Sequence, residues 1–385
     1  MSATPSFAHL ETALRLFHGN DALNSLPTEM MRSQCSRAVI VCGRSVAVHG
    51  LQRVREALGD GYVGVFDGVR AHSPVTTVDA AAAALRALDA DCVVAVGGGS
   101  AIVTARACAI VLAEKKPAHQ LCTRRQASGV FTSPRLLAPK LPQFVVPTTP
   151  TTATVKAGAA VFDEAVSERL ALFDPKTRAQ AVFIDPGLVG ATPVDLFVSA
   201  SLNTLAMAVE GLESAHSDPL SDAMLLHALR LLYRALPDLR AKPKDATLRI
   251  DLMMAAVLCG RGTDFAGGGL ASVLGHAVGM RGNVSNGLAN AMVLPHTMRF
   301  NAGVTSQRTA PIAQALGGSE GADPMDQVCL LLDKLGIPFR LRDAGFTHAS
   351  LDDVATHAMD DWFLTRNPRP VQDVAQLKQL LLAAW

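Results

Sequence analysis

Short apolar runs alternate with helix-like segments through the first half of the chain, and this alternation constrains the fold more than any other feature. The apolar runs cover residues 38–42, 64–66, 91–96, 143–146 and 181–184, and most of them end at glycine or proline. Segments with helical spacing of Ala and Leu, such as 78–88 and 102–112, lie between them. Strands separated by helices pair in parallel within a sheet that is covered on both faces. The first half is therefore predicted to be an α/β domain.

The pattern becomes helical after Pro186. Residues 192–195 are typical of a helix start, with Thr192 as the N-cap residue and Pro193 in the first turn. The carboxylate of Asp195 is expected to interact with the N-cap residue, as in a capping box. Helical periodicity then covers residues 222–236, 249–259, 271–278, 287–298, 311–316, 325–335 and 372–385. Residues 116–142, which are polar and rich in Pro and Arg, are predicted to form a loop. We therefore expect a dinucleotide-binding α/β domain over residues 1–187 and an all-helical domain over residues 188–385.

Composition excludes several classes of protein. The 385 residues are 49% hydrophobic and 18% charged, and the net charge is +1, which is typical of a compact globular enzyme. Lys and Arg are scattered, so neither a nucleic acid nor an anionic membrane is an expected partner. No run reaches the ~18 apolar residues of a membrane span, and the start lacks a secretory layout. Seven widely spaced Cys without a CxxC favour reduced thiols. We predict a cytoplasmic protein.

Two loops follow predicted strand ends and could hold a phosphate or a ribose. Val93–Val96 leads into Gly97, Gly98, Gly99 and Ser100 before a helix, and such a turn lets backbone N–H groups approach an anion. The second loop, Pro-Thr-Thr-Pro-Thr-Thr-Ala-Thr at 147–154, offers the hydroxyls of Thr148, Thr149 and Thr152. Glycines and threonines are also common in turns without a ligand. Because ligands of open α/β sheets bind beyond the carboxyl ends of the strands, two such loops together favour a nucleotide site.

These motifs resemble the iron-dependent alcohol dehydrogenase family, and within it most closely the maleylacetate reductases. The resemblance covers most of the chain. It rests on FDGVRAHSPVTTV (66–78), DCVVAVGGGS (91–100), VVPTT (145–149), VFIDPGL (182–188), SLNTLAMAVEGLES (201–214), NGLANAMVLPHTMRFN (286–301) and NPRPV (367–371).

The resemblance implies a Rossmann-like dinucleotide-binding domain, a helical domain and a nicotinamide coenzyme in the cleft between them. It assigns Gly97, Gly98, Gly99 and Ser100 to the pyrophosphate, and Thr148 and Thr149 to the adenine and ribose side. Gly43 and Arg44 follow a strand where many members place an Asp that holds the ribose 2′-hydroxyl of NAD. Gain of Arg44 is compatible with the 2′-phosphate of NADP, or with a solvated surface residue. NAD or NADP is therefore the expected cofactor, and the family habit of dimerising makes a homodimer the expected assembly.

All four metal ligands of the family are replaced in this chain. The family places an Asp and a His where Asn203 and Met207 stand, and two further His at Ser272 and Asn286. Two amides, a thioether and a hydroxyl bring no negative charge, so they are poor ligands for a hard dication. We therefore expect no metal. The surviving His276 matches the family's non-ligand histidine near the nicotinamide.

Without a metal, another group must stabilise the reacting carbonyl, and His276 is the candidate proton donor. The alternative is a packed helix histidine whose ring is hydrogen-bonded to the backbone. Asn203, Ser272 and Asn286 would form an uncharged hydrogen-bonding floor, and Lys156, after the Thr loop, could bind a substrate carboxylate or remain a surface charge.

The sequence thus leaves three functions open. One is a metal-independent NAD(P)-dependent reductase of a small oxo- or enoyl-carboxylic acid. The second is a metal-free lyase, hydrolase or isomerase that acts on a small carboxylic acid. The third is a nucleotide-binding protein without turnover.

Overall fold

The chain folds into two compact units. The computed structural model describes residues 7–126, 128–282 and 284–385. One unit is Ala13–Thr192, and the other combines the described residues up to Thr12 with Pro193–Trp385. The domain boundary predicted from the sequence lies after residue 187, whereas the compact units divide after Thr192. The Thr192 hydroxyl donates to the backbone oxygen of Thr148 at 2.8 Å, which keeps this turn with the α/β unit.

The same contact corrects the predicted helix start. Pro193, not Thr192, is the N-cap residue of the helix that follows, and it makes no side-chain capping bond. The carboxylate of Asp195 forms a salt bridge with Arg240 at 2.7 Å and does not interact with the N-cap residue. The hydroxyl that could have capped the helix is already used in a tertiary hydrogen bond.

The α/β unit contains ten strands in its described residues, and five of them were not predicted from the sequence. The strands are β1 (Leu16–His18), β2 (Ala38–Val41), β3 (Tyr62–Phe66), β4 (Cys92–Gly97), β5 (Arg124–Arg125), β6 (Phe131–Thr132), β7 (Gln143–Pro147), β8 (Gly158–Asp163), β9 (Glu168–Phe173) and β10 (Ala179–Ile184). The helices are α1 (Leu26–Arg32), α2 (Arg44–His49), α3 (Leu51–Leu58), α4 (Val75–Ala87), α5 (Gly99–Glu114), α6 (Ala118–Leu121) and α7 (Pro186–Gly190). The segment 116–142, predicted to be a loop, thus contains α6, β5 and β6.

Six strands form a parallel sheet in the order β1-β10-β7-β4-β2-β3. The central strands β2, β4 and β7 are buried along their whole length. Their continuous apolar runs suit a parallel sheet that is covered on both faces. Two antiparallel pairs, β5–β6 and β8–β9, lie outside this sheet. The predicted α/β architecture with a parallel sheet is confirmed.

The second unit is helical, and no strand occurs after Ile184 in the part of the chain that the structure describes. Its helices are α8 (Val194–Glu213), α9 (Pro219–Ala235), α10 (Ala246–Ala266), α11 (Leu270–Arg281), α12 (Asn286–Asn301), α13 (Thr309–Ala315), α14 (Pro324–Lys334), α15 (Leu351–Ala358) and α16 (Val374–Ala384). A 3-10 turn at Trp362–Arg366 packs near α11. None of the described helices is both long and apolar enough to cross a bilayer.

Candidate functional site

The glycine loop and the threonine loop meet at the carboxyl edge of the sheet. Strand β4 ends at Gly97 and β7 at Pro147, and these two residues are register partners. The backbone N–H of Thr148 donates to the oxygen of Gly97 at 3.0 Å. Gly97 has φ +141, a conformation that side chains disfavour. The chain therefore turns sharply here, and helix α5 starts two residues later at Gly99.

Gly98 and Gly99 of the glycine loop pack so closely against the threonine loop that a side chain at either position would be crowded. A Cβ on Gly98 would lie 2.9 Å from Oγ1 of Thr149, and a Cβ on Gly99 would lie 3.1 Å from Oγ1 of Thr151. Because both residues are glycines, the hydroxyls of the threonine loop can lie close to the N-terminus of α5. A side chain at either position would occupy the space between them. This cradle of N–H and O–H donors fits the pyrophosphate of a dinucleotide.

Arg106 on α5 stabilises the threonine loop through hydrogen bonds to backbone oxygens. Its guanidinium is fully buried and donates to the backbone oxygens of Gly158 at 2.7 Å and Ala153 at 2.9 Å. The buried Thr152 begins the 3-10 turn Thr152–Thr154, which is the last part of this loop. Lys156 lies two residues after this turn and is half-buried, and its backbone N–H donates to the backbone oxygen of Ala153 at 3.4 Å.

Gly43 and Arg44 lie at the same edge of the sheet, after β2. Gly43 is the N-cap residue of α2 and bridges to Gly68, which follows β3. Arg44 is exposed, and the first turn of α2 contains no acidic residue. The resemblance places the ribose 2′-hydroxyl of the coenzyme near Gly43, and Arg44 is the next residue.

The second group of predicted residues lies in the helical unit, around His276 on α11. Nδ1 of His276 lies 3.1 Å from Oδ2 of Asp361, and both side chains are about one-tenth exposed. The other oxygen of Asp361, Oδ1, accepts the backbone N–H of Phe363 at 2.9 Å and so caps the Trp362–Arg366 turn. The Phe363 ring lies 5.9 Å from the imidazole, centroid to centroid. The imidazole is therefore held by a carboxylate and an aromatic ring from one turn.

Three consecutive glycines before α11 let this turn and α8 approach. A Cβ on Gly267 would meet the Arg366 side chain at 3.0 Å, one on Gly268 would meet Phe363 at 2.9 Å, and one on Gly269 would meet Glu210 at 3.3 Å. Each glycine thus accommodates a different neighbour of the helix that carries His276.

The residues that the resemblance places at the family's metal positions include a network of neutral side chains. Asn203 and Met207 are four residues apart on α8, and Nδ2 of Asn203 contacts Sδ of Met207 at 3.6 Å. The side-chain amides of Asn203 and Asn290 lie 2.8 Å apart. Asn286 directs its amide oxygen against Gly279, where this buried atom has no hydrogen-bond partner among the described residues. Amide groups from α8 and α12 therefore line this position.

Ser272 faces a buried carboxyl instead of this amide network. Its hydroxyl donates to Oε2 of Glu210 at 2.5 Å, and its backbone N–H donates to Oε1 at 2.7 Å. Burial raises the pKa of Glu210 to about 7, against the opposing effect of these hydrogen bonds. Glu210 on α8 thereby holds the first turn of α11, which positions the face that carries His276.

These residues do not fit the divalent metal that the family implies. The four ligand positions offer amides, a thioether and a hydroxyl already bonded to Glu210, so no anionic donor offsets the cost of dehydrating a dication. In the described residues, the one close group of three or more His, Cys, Asp or Glu side chains is Cys35, Asp91 and Cys92, in the α/β unit. Burial raises the pKa of both of its thiols.

A parallel sheet with a glycine loop at its carboxyl edge, joined to a helical unit with a held imidazole, defines a dinucleotide-dependent oxidoreductase. Comparison with known proteins gives the family. Residues 13–186 match the iron-containing alcohol dehydrogenase family, and residues 197–385 match the C-terminal domain of the Fe-containing alcohol dehydrogenase family. The chain belongs to the iron-containing alcohol dehydrogenases and is an oxidoreductase.

Its relatives include reductases of small acids and aldehydes. Maleylacetate reductase of Sphingobium indicum is 30% identical over 322 residues, which are 84% of this chain and 82% of that protein. Lactaldehyde reductase of Escherichia coli is 28% identical over 374 residues, 93% of this chain and 95% of that protein. The crystal structure of maleylacetate reductase from Rhizobium sp. strain MTP-10005 superposes with a TM-score of 0.80 at 25% identity and covers 99% of both chains. The predicted resemblance to this branch is confirmed.

The structure therefore distributes the predicted residues over both units. His276, Asn203, Asn286 and Ser272 lie in the helical unit, with Ser272 turned to Glu210. The glycines, the threonines, Arg44 and Lys156 lie in the α/β unit. Sequence reasoning missed Asp361, 85 residues from His276, and Glu210 and Asn290. The only signal for Asp361 is an acid that precedes an aromatic pair a few residues before the Asn-Pro-Arg motif.

Proposed function

We propose that this protein is a metal-independent, NAD(P)-dependent reductase of a small oxo- or enoyl-carboxylic acid. The observation that carries the proposal is the uncharged donor set of Asn203, Met207, Ser272 and Asn286 in the unit that also contains His276 and Asp361. The cradle of glycines and threonines supports the coenzyme part of the proposal, and the reductases among the relatives support the substrate class.

The coenzyme, when bound, supplies the hydride. The chain's own residues supply the rest: His276 delivers a proton to the substrate, and the amides of Asn203 and Asn286 donate hydrogen bonds to a carbonyl oxygen on which negative charge develops. Preorganised neutral donors can replace a cation because they need no reorganisation when the charge forms. Phe363 and the buried α8–α11 contacts limit water around the imidazole.

We further propose that NADPH is the better coenzyme. Arg44 is exposed at the start of α2, and that first turn contains no carboxylate that would repel a 2′-phosphate. A guanidinium can bind a phosphate through two parallel hydrogen bonds.

Metal analysis combined with turnover tests the proposal. Purified protein would be titrated with NADH and NADPH by fluorescence, then assayed for oxidation of each with maleylacetate and with a panel of other oxo- and enoyl-acids. We expect binding of at least one coenzyme, and turnover that is unchanged after dialysis against EDTA. Loss of activity on chelation, restored by zinc or iron, would refute metal independence. Coenzyme binding without oxidation on any acid would favour the nucleotide-binding alternative, and absence of binding would favour the non-redox one.

A further inference from the structure

Two thiols and a carboxylate meet at the amino edge of the parallel sheet, within the α/β unit. One ligand atom from each of Cys35, Asp91 and Cys92 lies within 4.8 Å of the other two. Cys92 is fully buried, and Cys35 is only 7% exposed. Cys92 is also the first residue of β4, and the last residue of that strand, Gly97, belongs to the glycine loop. The cluster therefore lies at the edge of the sheet opposite to the predicted coenzyme loops.

The backbone fixes the position of all three side chains. Cys35 follows the end of α1, where Gln34 has φ +57, the left-handed conformation that commonly ends a helix. The carboxylate of Asp91 accepts the backbone N–H groups of Ser36 and Arg37, each at 2.8 Å. In return, the N–H of Asp91 donates to the backbone oxygen of Arg37 at 3.1 Å. Cys35 and Asp91, 56 residues apart in the sequence, are thus held together by main-chain contacts.

The three side chains keep the capacity to bind a cation. An ionised carboxylate has about four lone-pair sites, and the N–H and hydroxyl of Ser36 and the N–H of Arg37 occupy three of those on Asp91. The thiol of Cys92 interacts with the same carboxylate, and the thiol of Cys35 donates to the backbone oxygen of Ser33 at 3.3 Å. A cation that displaces the two thiol protons would therefore find two sulfurs and one carboxylate oxygen close together.

The surroundings of the cluster favour a metal ion over a reactive thiolate. A reactive thiolate needs a nearby positive charge or a helix N-terminus, whereas the thiols of this cluster have a carboxylate beside them. The guanidinium of Arg37 donates instead to the backbone oxygens of Leu88 and Asp89, each at 2.8 Å. An ion that brings its own positive charge fits such an anionic site. Thiolate ligands select Zn²⁺ over hard ions such as Mg²⁺ or Ca²⁺.

We propose that Cys35, Asp91 and Cys92 form a structural zinc site that joins the end of α1 to the start of β4. The ion is bound by two thiolates and one carboxylate oxygen, and water completes the tetrahedron. Binding releases the two thiol protons and changes no oxidation state. The site goes beyond the proposed reductase activity and does not rest on it, because the metal independence proposed above concerns Asn203, Met207, Ser272 and Asn286 in the other unit.

Cobalt titration tests the site without any substrate. The reduced protein, freed of metal by a chelator, would be titrated with Co²⁺ under anaerobic conditions and then with Zn²⁺. We expect one equivalent of Co²⁺ to give the visible absorption of a tetrahedral ion and the ultraviolet band of a cobalt–thiolate bond, and Zn²⁺ to displace it. Loss of an outer-shell partner of a metal typically weakens binding about 10- to 100-fold, so loss of a ligand in Cys35→Ser should weaken it by more than about 100-fold. Cys122→Ser, which changes another buried cysteine of the same unit, should bind like the native protein.

Alkylation of the native protein provides a second readout that needs no variant. With zinc bound, labelling of Cys35 by iodoacetamide should slow, while labelling of the partly exposed Cys329 should not change, as measured by mass spectrometry of the peptides. Zinc should also raise the unfolding temperature of the native protein, because it binds only the folded chain. Absence of a cobalt–thiolate band in the native protein, an equal band in Cys35→Ser, or equal labelling of Cys35 with and without zinc would overturn the inference.

Turnover separates this site from the proposed function. We expect kcat of Cys35→Ser to stay within twofold of the native value, so zinc that is lost in this variant does not take part in the reaction. A requirement for added metal in both the native protein and Cys35→Ser would refute the metal-independent reaction, while the cobalt titration would still decide the role of Cys35, Asp91 and Cys92.

Discussion

The ring of Phe363 lies against the Cα atom of Gly268, so closely that a Cβ at position 268 would fall 2.9 Å from the ring. This contact holds the turn that carries Asp361 against the start of α11. We expect Gly268→Ala to push Phe363 away and to destabilise the protein by about 1–3 kcal/mol, the usual cost of overpacking. Turnover should fall as well, because the carboxylate that contacts His276 moves with the ring. Thermal unfolding and steady-state assays measure the two effects.

Gly303→Ala is the matched control, because a Cβ at position 303 has no atom within 4 Å. Its unfolding temperature and kcat should match the native values. If Gly268→Ala had the same unfolding temperature and kcat as Gly303→Ala, the close contact between Phe363 and Gly268 would affect neither stability nor turnover.

Glu213 on α8 predicts a pH dependence of stability. Burial raises its pKa to about 7, with a smaller contribution from the charge of Glu210. The folded protein therefore holds the proton more tightly than the unfolded chain, where a Glu titrates near 4.3. The stability that this group contributes is fully present below about pH 4.3 and is lost as the pH rises through about 7. The loss is at most about 1.4 kcal/mol per pH unit in this window.

Urea unfolding at pH 5, 6, 7 and 8 measures this effect in Glu213→Gln. The amide cannot titrate and can still accept the hydrogen bond that Asn301 donates at 2.9 Å. The native protein should be relatively more stable at pH 5 and should lose that advantage by pH 8. Glu320→Gln, at an exposed position, should leave the native curve unchanged. Parallel curves for Glu213→Gln and the native protein would mean that Glu213 does not titrate in this range.

His276→Ala should abolish turnover while leaving coenzyme affinity within a few-fold. Removal of a general acid typically costs about 10²–10⁴ in rate, and the glycine and threonine loops that fit the coenzyme lie in the other unit. Stopped-flow oxidation of the reduced coenzyme and fluorescence titration separate the two quantities. His227→Ala changes an exposed histidine of α9 and should be silent in both assays. Near-native activity of His276→Ala would show that another group supplies the proton.

Arg44→Ala should weaken binding of NADPH more than binding of NADH. A charged hydrogen bond to a phosphate typically contributes about 1.5–3 kcal/mol, so we expect the Kd for NADPH to rise by about tenfold or more. The Kd for NADH should change by less than twofold. Arg86→Ala, at an exposed position in the last turn of α4, controls for the loss of one positive charge. Equal changes for both coenzymes would remove Arg44 from the 2′-phosphate site.

Local signals in the sequence determined most of the fold. The apolar runs of β2, β4 and β7 need burial on both faces, and the glycines after β4 permit a φ that other residues avoid. These preferences act over a few residues, so they can be read without knowing the neighbours. The strands β8 and β9 were missed because their alternation is weak, and β1 because three residues carry too little pattern. The predicted cap at Thr192 was wrong because a hydroxyl that suits a local role was used by Thr148.

In the candidate site, too, residue identities could be read from the sequence, whereas contacts between distant residues could not. The sequence by itself determined that Asn203, Met207, Ser272 and Asn286 are uncharged, and the resemblance to the family implies that these four residues occupy metal-ligand positions. Only the tertiary structure decided that Asp361 holds the imidazole and that Ser272 faces Glu210. The physical reason is that a hydrogen bond needs its partners within about 3 Å, and packing alone brings together side chains that are 85 and 62 residues apart.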